Sequence, residues 1–235
     1  MTVLISVYGA PKVGKSYICA NFVKKFCGYH VDFLAVDQLK LQTKGVPEYH
    51  TRAHGDARFA VKKVGLSDDQ YISIKNIEQL IKIADMPSAD GPKKFVVLDD
   101  SSNFRWQSAL NRMITEKHAM ITKDDWMHAT SLMKSIIMRL LNNYNVVVIH
   151  QMGDEYVDDR ATGKQTPKFF PTGIEYNSDL VGEIRVERGD TISQIFEIVA
   201  ARALWYGSEN FNPVIRGPTV EEILKRSGFD ETDLM

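Results

Sequence analysis

The chain has 235 residues, 44% hydrophobic and 25% charged, which is the balance of an ordinary globular protein and excludes a disordered, collagen-like or coiled-coil chain. With 29 Lys and Arg against 30 Asp and Glu, the net charge of −1 gives no global field for nucleic acid or an anionic membrane, so any nucleic-acid contact must be local. The length fits a single domain spanning residues 1–235.

The first apolar run, Val3 to Tyr8, reads as a strand, and a helical pattern runs from Lys15 to Phe26. Between them stands Gly9-Ala10-Pro11-Lys12-Val13-Gly14-Lys15-Ser16, a full G-x-x-x-x-G-K-S phosphate-binding loop in its strand-to-helix context. Such a loop aims backbone N–H groups at a phosphate chain, and the helix N-terminus adds positive partial charge. Lys15 is expected to reach the β and γ phosphates and Ser16 to offer its hydroxyl to Mg²⁺. Residues Gly9 to Ser16, with Tyr17 directly after, form the candidate nucleotide-binding segment.

Cys19 and Cys27 lie eight apart in this helical stretch, which predicts one shared face about 12 Å apart and no disulfide. Lone thiols without zinc-ligand spacing fit a reducing compartment. The N-terminus has no basic n-region and no apolar run approaches the roughly 18 residues of a membrane span, so a cytoplasmic protein with no membrane partner is expected.

Further strands are predicted over Val31 to Val36 and Tyr71 to Ile74, separated by a long irregular stretch near 40–64, and a helix over Ile77 to Ala84. The next apolar run, Phe95 to Leu98, ends in Asp99-Asp100, the Walker B pattern, and Asp99 is the candidate to hold Mg²⁺ through its water shell. Asp100 either orients the attacking water or caps the turn with Ser101, Ser102 and Asn103.

Helical patterns follow over Phe104 to Thr115 and Asp124 to Asn142. Thr122 with Asp125 reads as the capping box of the second, and this accounts for Thr122-Lys123-Asp124-Asp125, which otherwise fits a guanine-reading T-K-x-D form; ATP is favoured over GTP. The strand Val146 to Ile149 ends in His150-Gln151, where Gln151 either senses the γ-phosphate or satisfies the turn. A long polar loop is predicted over 152–173, then strands over Leu180 to Val186 and Ile192 to Val199, and a terminal helix near 219–227 with Thr219 as N-cap. The alternation predicts an α/β fold, a mainly parallel sheet flanked by helices, whose ligands gather at the carboxyl ends of the strands.

In their order, Tyr8 to Ser16, Val96-Val97-Leu98-Asp99-Asp100-Ser101-Ser102, Asp124-Asp125-Trp126 and Val146 to Gln151 resemble RecA-like P-loop ATPases, most closely the compact bacteriophage nucleotide-binding proteins. The resemblance covers most of the chain. It implies ATP and Mg²⁺ as ligands, a homo-oligomeric ring or filament, and a place in the host cytoplasm if the chain is phage-encoded. It further implies single-strand annealing beside a single-stranded DNA-binding protein. It also implies a water-positioning carboxylate after the P-loop helix, matched by Asp37 where a glutamate is more usual. Arg202 matches half of a basic-x-basic inter-subunit finger and otherwise reads as a surface salt bridge.

By the same resemblance the segment after Gln151 binds single-stranded DNA. Arg160, Lys164 and Lys168 suit phosphates there and Phe169 and Phe170 suit stacking on bases. Asp154, Glu155, Asp158 and Asp159 offset the charge, and the two phenylalanines equally fit packing onto the core. The expected function is therefore an ATPase acting on single-stranded DNA in recombination or replication. A P-loop kinase, a DNA-independent ATPase and a non-hydrolysing ATP-binding adaptor are the alternatives.

Overall fold

The computed structural model describes residues 2–33, 61–74, 77–86, 94–157, 160–188, 192–202, 212–229 and 234. The buried strands are apolar on both sides, and each sends alternate residues into two different cores. In β4 (Phe95–Asp99), Phe95 and Val97 enter one layer while Val96 and Leu98 enter the other. In β5 (Asn145–Ile149), Val147 and Ile149 part from Val146 and Val148 in the same way. Strands buried on both faces are what a parallel sheet between two helical layers requires.

The remaining elements in chain order are β1 (Leu4–Tyr8), α1 (Lys15–Phe26), β2 (Gly28–Phe33), β3 (Tyr71–Ile74) and α2 (Ile77–Asp85). After β4 come α3 (Ser101–Thr115) and α4 (Lys123–Leu140), and after β5 come β6 (Gln151–Val157), β7 (Arg160–Lys168) and α5 (Ile174–Asn177). β8 (Leu180–Arg188), β9 (Ile192–Ala201), β10 (Val214–Arg216) and α6 (Val220–Arg226) complete the described chain. Eight strands form one sheet in the order β10-β9-β8-β1-β5-β4-β2-β3. The pairs from β8 through β1, β5, β4 and β2 to β3 are parallel; β9 is antiparallel to β8 and to β10. α1 and α6 cover one face through Ile18, Phe22, Ile223 and Leu224, and α2, α3 and α4 cover the other through Leu80, Phe104, Met133 and Leu140.

The α/β class and the mostly parallel sheet flanked by helices are therefore as expected. Three expectations are corrected. Most of 152–173 is not a loop: β6 and β7 form a separate two-stranded antiparallel ribbon, followed by the short α5. β7 is exposed along most of its length, so its polar residues alternate with no buried apolar ones and show no period-2 signal. Cys27 is not inside the helix; it is the exposed C-cap of α1, with φ 61°, whereas Cys19 is buried. β2 begins at Gly28, earlier than the predicted Val31. Of the stretch near 40–64, residues 61–64 are helical and pack Val61 and Val64 on Ala20; the remainder lies outside the described residues. No helix among the described residues is long and apolar enough to cross a membrane.

α4 starts as its sequence dictates. The Thr122 hydroxyl accepts from the Asp125 N–H, and the Asp125 carboxylate accepts from the Thr122 N–H at 2.8 Å, closing the capping box. His118 lies 3.1 Å from the same carboxylate and Arg112 3.5 Å. Burial alone would raise the Asp125 pKa, but the Thr122 N–H, the Thr122 hydroxyl and His118 together pull it down to about 2. A folded pKa below the unfolded value of 3.8 contributes stability that is fully present above pH 4 and lost as pH falls toward 2. Asp125→Asn is thus expected to lower the melting temperature at neutral pH and to flatten its fall between about pH 4 and 2, as thermal melts across that range would show. A wild-type acid limb retained in Asp125→Asn would refute this.

Candidate nucleotide site

Register fixes the site. Val7 pairs with Ile149, Leu98 with Val148 and Asp32 with Asp99, so the carboxyl ends of β1, β5, β4 and β2 share one sheet edge. There the loop after β1 enters α1 at Gly14, whose φ of 90° is open to glycine. A Cβ on Gly14 would collide with the Gln194 amide, which reaches from β9 and donates to the Val13 carbonyl at 2.6 Å. A Cβ on Gly9 would collide with the Ile184 carbonyl of β8. The loop is clamped from the neighbouring strands. Gly14 supplies no side-chain cap and the first turn of α1 holds no acidic residue, which leaves its N–H groups and positive dipole end to an anion.

Lys15 folds back over the loop, its Nζ donating to the Gly9 carbonyl at 2.8 Å and the Ala10 carbonyl at 2.9 Å. Burial lowers its pKa, against the opposing pull of the Asp99 and Asp100 charges. A cavity of about 590 Å³ opens beside the loop, lined by Lys12, Lys15, Ser16, Tyr17, Lys63 and Gln194 among others. Ser16 is half-buried and Tyr17 exposed, with the Lys63 ammonium 5.5 Å from its ring centroid.

Asp99 ends β4 with its carboxylate 3.1 Å from His30 Nε2, and the His30 ring is fully buried. The Asp99–Asp100 peptide is cis. Asp100 is the N-cap of α3 and accepts from the Ser102 N–H at 2.6 Å, so it does cap the turn; its other oxygen accepts from the Gln151 amide. Burial and then the Asp99 charge raise the Asp100 pKa to about 6. On β2, Asp32 lies beside Asp99, accepts from the Tyr71 hydroxyl at 2.6 Å, and is pushed up to about 6, chiefly by burial.

His150 follows β5 and is neutral, its pKa lowered to about 3 by burial. Its Nδ1 accepts from the Phe170 N–H at 3.3 Å, which places the proton on Nε2, 3.2 Å from the Ser6 hydroxyl. Ser6 in turn meets Ser178 at 2.8 Å, and Ser178 donates to the Ile174 carbonyl. The ribbon is therefore fastened at both feet, by Gln151 to Asp100 and by Phe170 to His150.

The sequence-predicted residues of the loop, Asp99, Asp100 and Gln151 are brought together at this edge. Asp37 lies outside the described residues. Arg202 pairs with Asp179 at 3.0 Å, while Asp179 also accepts from the Leu4 N–H, so Arg202 sits in a surface ion pair at the opposite sheet edge. Arg160 and Lys164 are exposed on the ribbon, and Lys168 donates to the Asp154 carbonyl at 2.8 Å. Phe169 and Phe170 do not stand out for stacking: Phe169 packs edge-on against Tyr8 and His150, and Phe170 is buried beside Phe104.

No protein-family model matches the chain, and no curated protein matches it. What the site can do is read from its own geometry. His30, Asp32, Tyr71 and Gln194 belong to that geometry and were not singled out from sequence. For two of them a signal exists in Tyr29-His30-Val31-Asp32-Phe33, where polar residues alternate with apolar ones in a strand buried on both sides.

Proposed function

We propose that this chain binds and hydrolyses ATP with Mg²⁺, as a RecA-like protein acting on single-stranded DNA in recombination or replication. The observation that carries the reading is the meeting of a strand-loop-helix phosphate cradle and its Lys15 with the carboxylates of Asp99 and Asp100 at one sheet edge. The donor set fits a magnesium nucleotide: a hydroxyl at Ser16, a buried carboxylate at Asp99, and loop N–H groups without side-chain caps. Mg²⁺ held by Ser16 and, through water, by Asp99 would neutralise charge on the β and γ phosphate oxygens.

The chain's own groups do the rest. Lys15 exchanges the Gly9 and Ala10 carbonyls for phosphate oxygens. His30 holds the Asp99 carboxylate in place. Asp100, its pKa raised to about 6 by burial and by the Asp99 charge, shares a hydrogen bond with Gln151, which suits a pair that orients water and accepts its proton. Gln151 follows β5, the strand lying between the phosphate-loop strand and the strand of Asp99, which supports a place for it beside the terminal phosphate of a bound nucleotide. Asp37 is the alternative water-positioning group.

Support for the DNA reading comes from the ribbon, rooted on Gln151 and exposing Arg160 and Lys164. The reading takes the protein as a homo-oligomer, ring or filament, in which Arg202 leaves Asp179 for a neighbour's phosphates, and which works beside a single-stranded DNA-binding protein. The test is ATP turnover by the purified chain with Mg²⁺, alone, with single strands and with duplex. Selective stimulation by single strands is expected. Turnover indifferent to DNA would move the protein to a DNA-independent ATPase or kinase, and no turnover would leave an ATP-binding adaptor.

A further inference from the structure

Arg105 lies one turn into α3, its guanidinium 4.7 Å over the Trp126 ring and 5.7 Å from the Phe170 ring. Trp126 is met edge-on by Trp106, with ring centroids 4.8 Å apart and planes at 87°. The side chain is exposed, yet among the described residues no carboxylate or carbonyl takes its N–H groups. Arg112, Arg139, Arg185, Arg202, Arg216 and Arg226 all have acidic partners.

Stacking uses the face of a guanidinium and leaves its donors in the plane, pointing outward. Held between Trp126 and Phe170, the Arg105 fork has less rotational freedom to lose when a ligand arrives, and its planar donor array matches a phosphate. Its place in the fold gives that fork a partner. Phe170 ends the ribbon, so Arg105 stands at the ribbon's root, on the side of α3 and α4. Over 151–168 the ribbon has Arg160, Lys164 and Lys168 against Asp154, Glu155, Asp158 and Asp159, so by charge alone it does not attract a polyanion. A strand lying along it needs a cation from outside the ribbon, and among the described residues Arg105 stands next to its root without an acidic partner.

We infer that Arg105, carried on Trp126, is a backbone-phosphate site for single-stranded DNA at the root of the ribbon. This rests on the function proposed above and adds to it a residue on the helix that follows Asp100. The site contributes register and affinity and reads no base.

The experiment is a fluorescence-anisotropy titration of labelled oligo-dT with the full chain across a salt series, comparing wild type, Arg105→Gln and Arg105→Lys. Binding of a fluorescent ATP analogue and thermal melts serve as checks of the fold. Arg105→Gln is expected to bind about ten-fold more weakly, with the slope of log affinity against log salt shallower by about 0.7, one phosphate contact on a single strand. Arg105→Lys is expected to keep the slope and bind with intermediate affinity, having the charge without the fork. Wild-type binding matched in affinity and slope by Arg105→Gln would overturn this site while leaving the DNA reading standing. Absence of oligo-dT binding by the wild type would overturn both. Weakened binding of the ATP analogue with strand binding intact would overturn it in favour of a nucleotide contact.

Discussion

Lys15→Ala is expected to lower ATP turnover by about 10³-fold or more while the chain stays folded, because the lysine is the one ammonium buried in the phosphate loop. The expected separation of activity from stability follows from its partners. Among the described residues Nζ bonds only the Gly9 and Ala10 carbonyls, beside a cavity from which water can take its place. Burial depresses the Lys15 pKa, which means that the folded chain holds the charge less readily than solvent does, so loss of the charge itself costs the fold little. Phosphate-release kinetics should therefore collapse while the chain still melts cooperatively. Undiminished turnover in Lys15→Ala would exclude the loop from the chemistry.

Asp99→Asn is the second large effect, with turnover expected to fall about 10²- to 10³-fold and the Mg²⁺ concentration for half-maximal activity to rise. The substitution keeps the shape of the side chain, and the amide oxygen can still accept from His30 Nε2, so the pair at the end of β4 survives without its charge. What is lost is the anion that would attract a hydrated divalent ion beside Ser16. Turnover measured over a Mg²⁺ series reads this directly. An unchanged metal dependence would remove Asp99 as the metal's partner and shift the role to Asp32 or Asp100, the two carboxylates packed beside it.

The parts of the site legible in sequence are those whose chemistry is contiguous. Gly9 to Ser16 are adjacent residues with one geometry, and Asp99 follows a run of four buried apolar residues that can only be a strand end. The Thr122 cap is equally local. What could not be read depends on pairings across long separations. Gln194 reaches Val13 from 181 residues away, and nothing in the β9 sequence marks it as a clamp on the loop. Asp32 and His30 join Asp99 only because β2 lies next to β4, which is a property of strand order. Phe169 and Phe170 stand at the end of a polar stretch and look available to a ligand, yet the chain turns there and folds them under the ribbon onto Tyr8, His150 and Phe104. The ribbon itself was hidden because the exposed, polar residues of β7 leave composition without a period.

The two fastenings of the ribbon imply a thermodynamic reciprocity. If a terminal phosphate draws the Gln151 amide away from Asp100, the free energy spent on that exchange is shared with whatever lies along β6 and β7. A ligand on the ribbon that favours the released foot must then tighten nucleotide binding by the same factor by which nucleotide tightens the ribbon's own ligand. The coupling can be no larger than the difference between the bonds Gln151 makes in its two positions, and Phe170, still tied to His150, limits how far the second foot can follow.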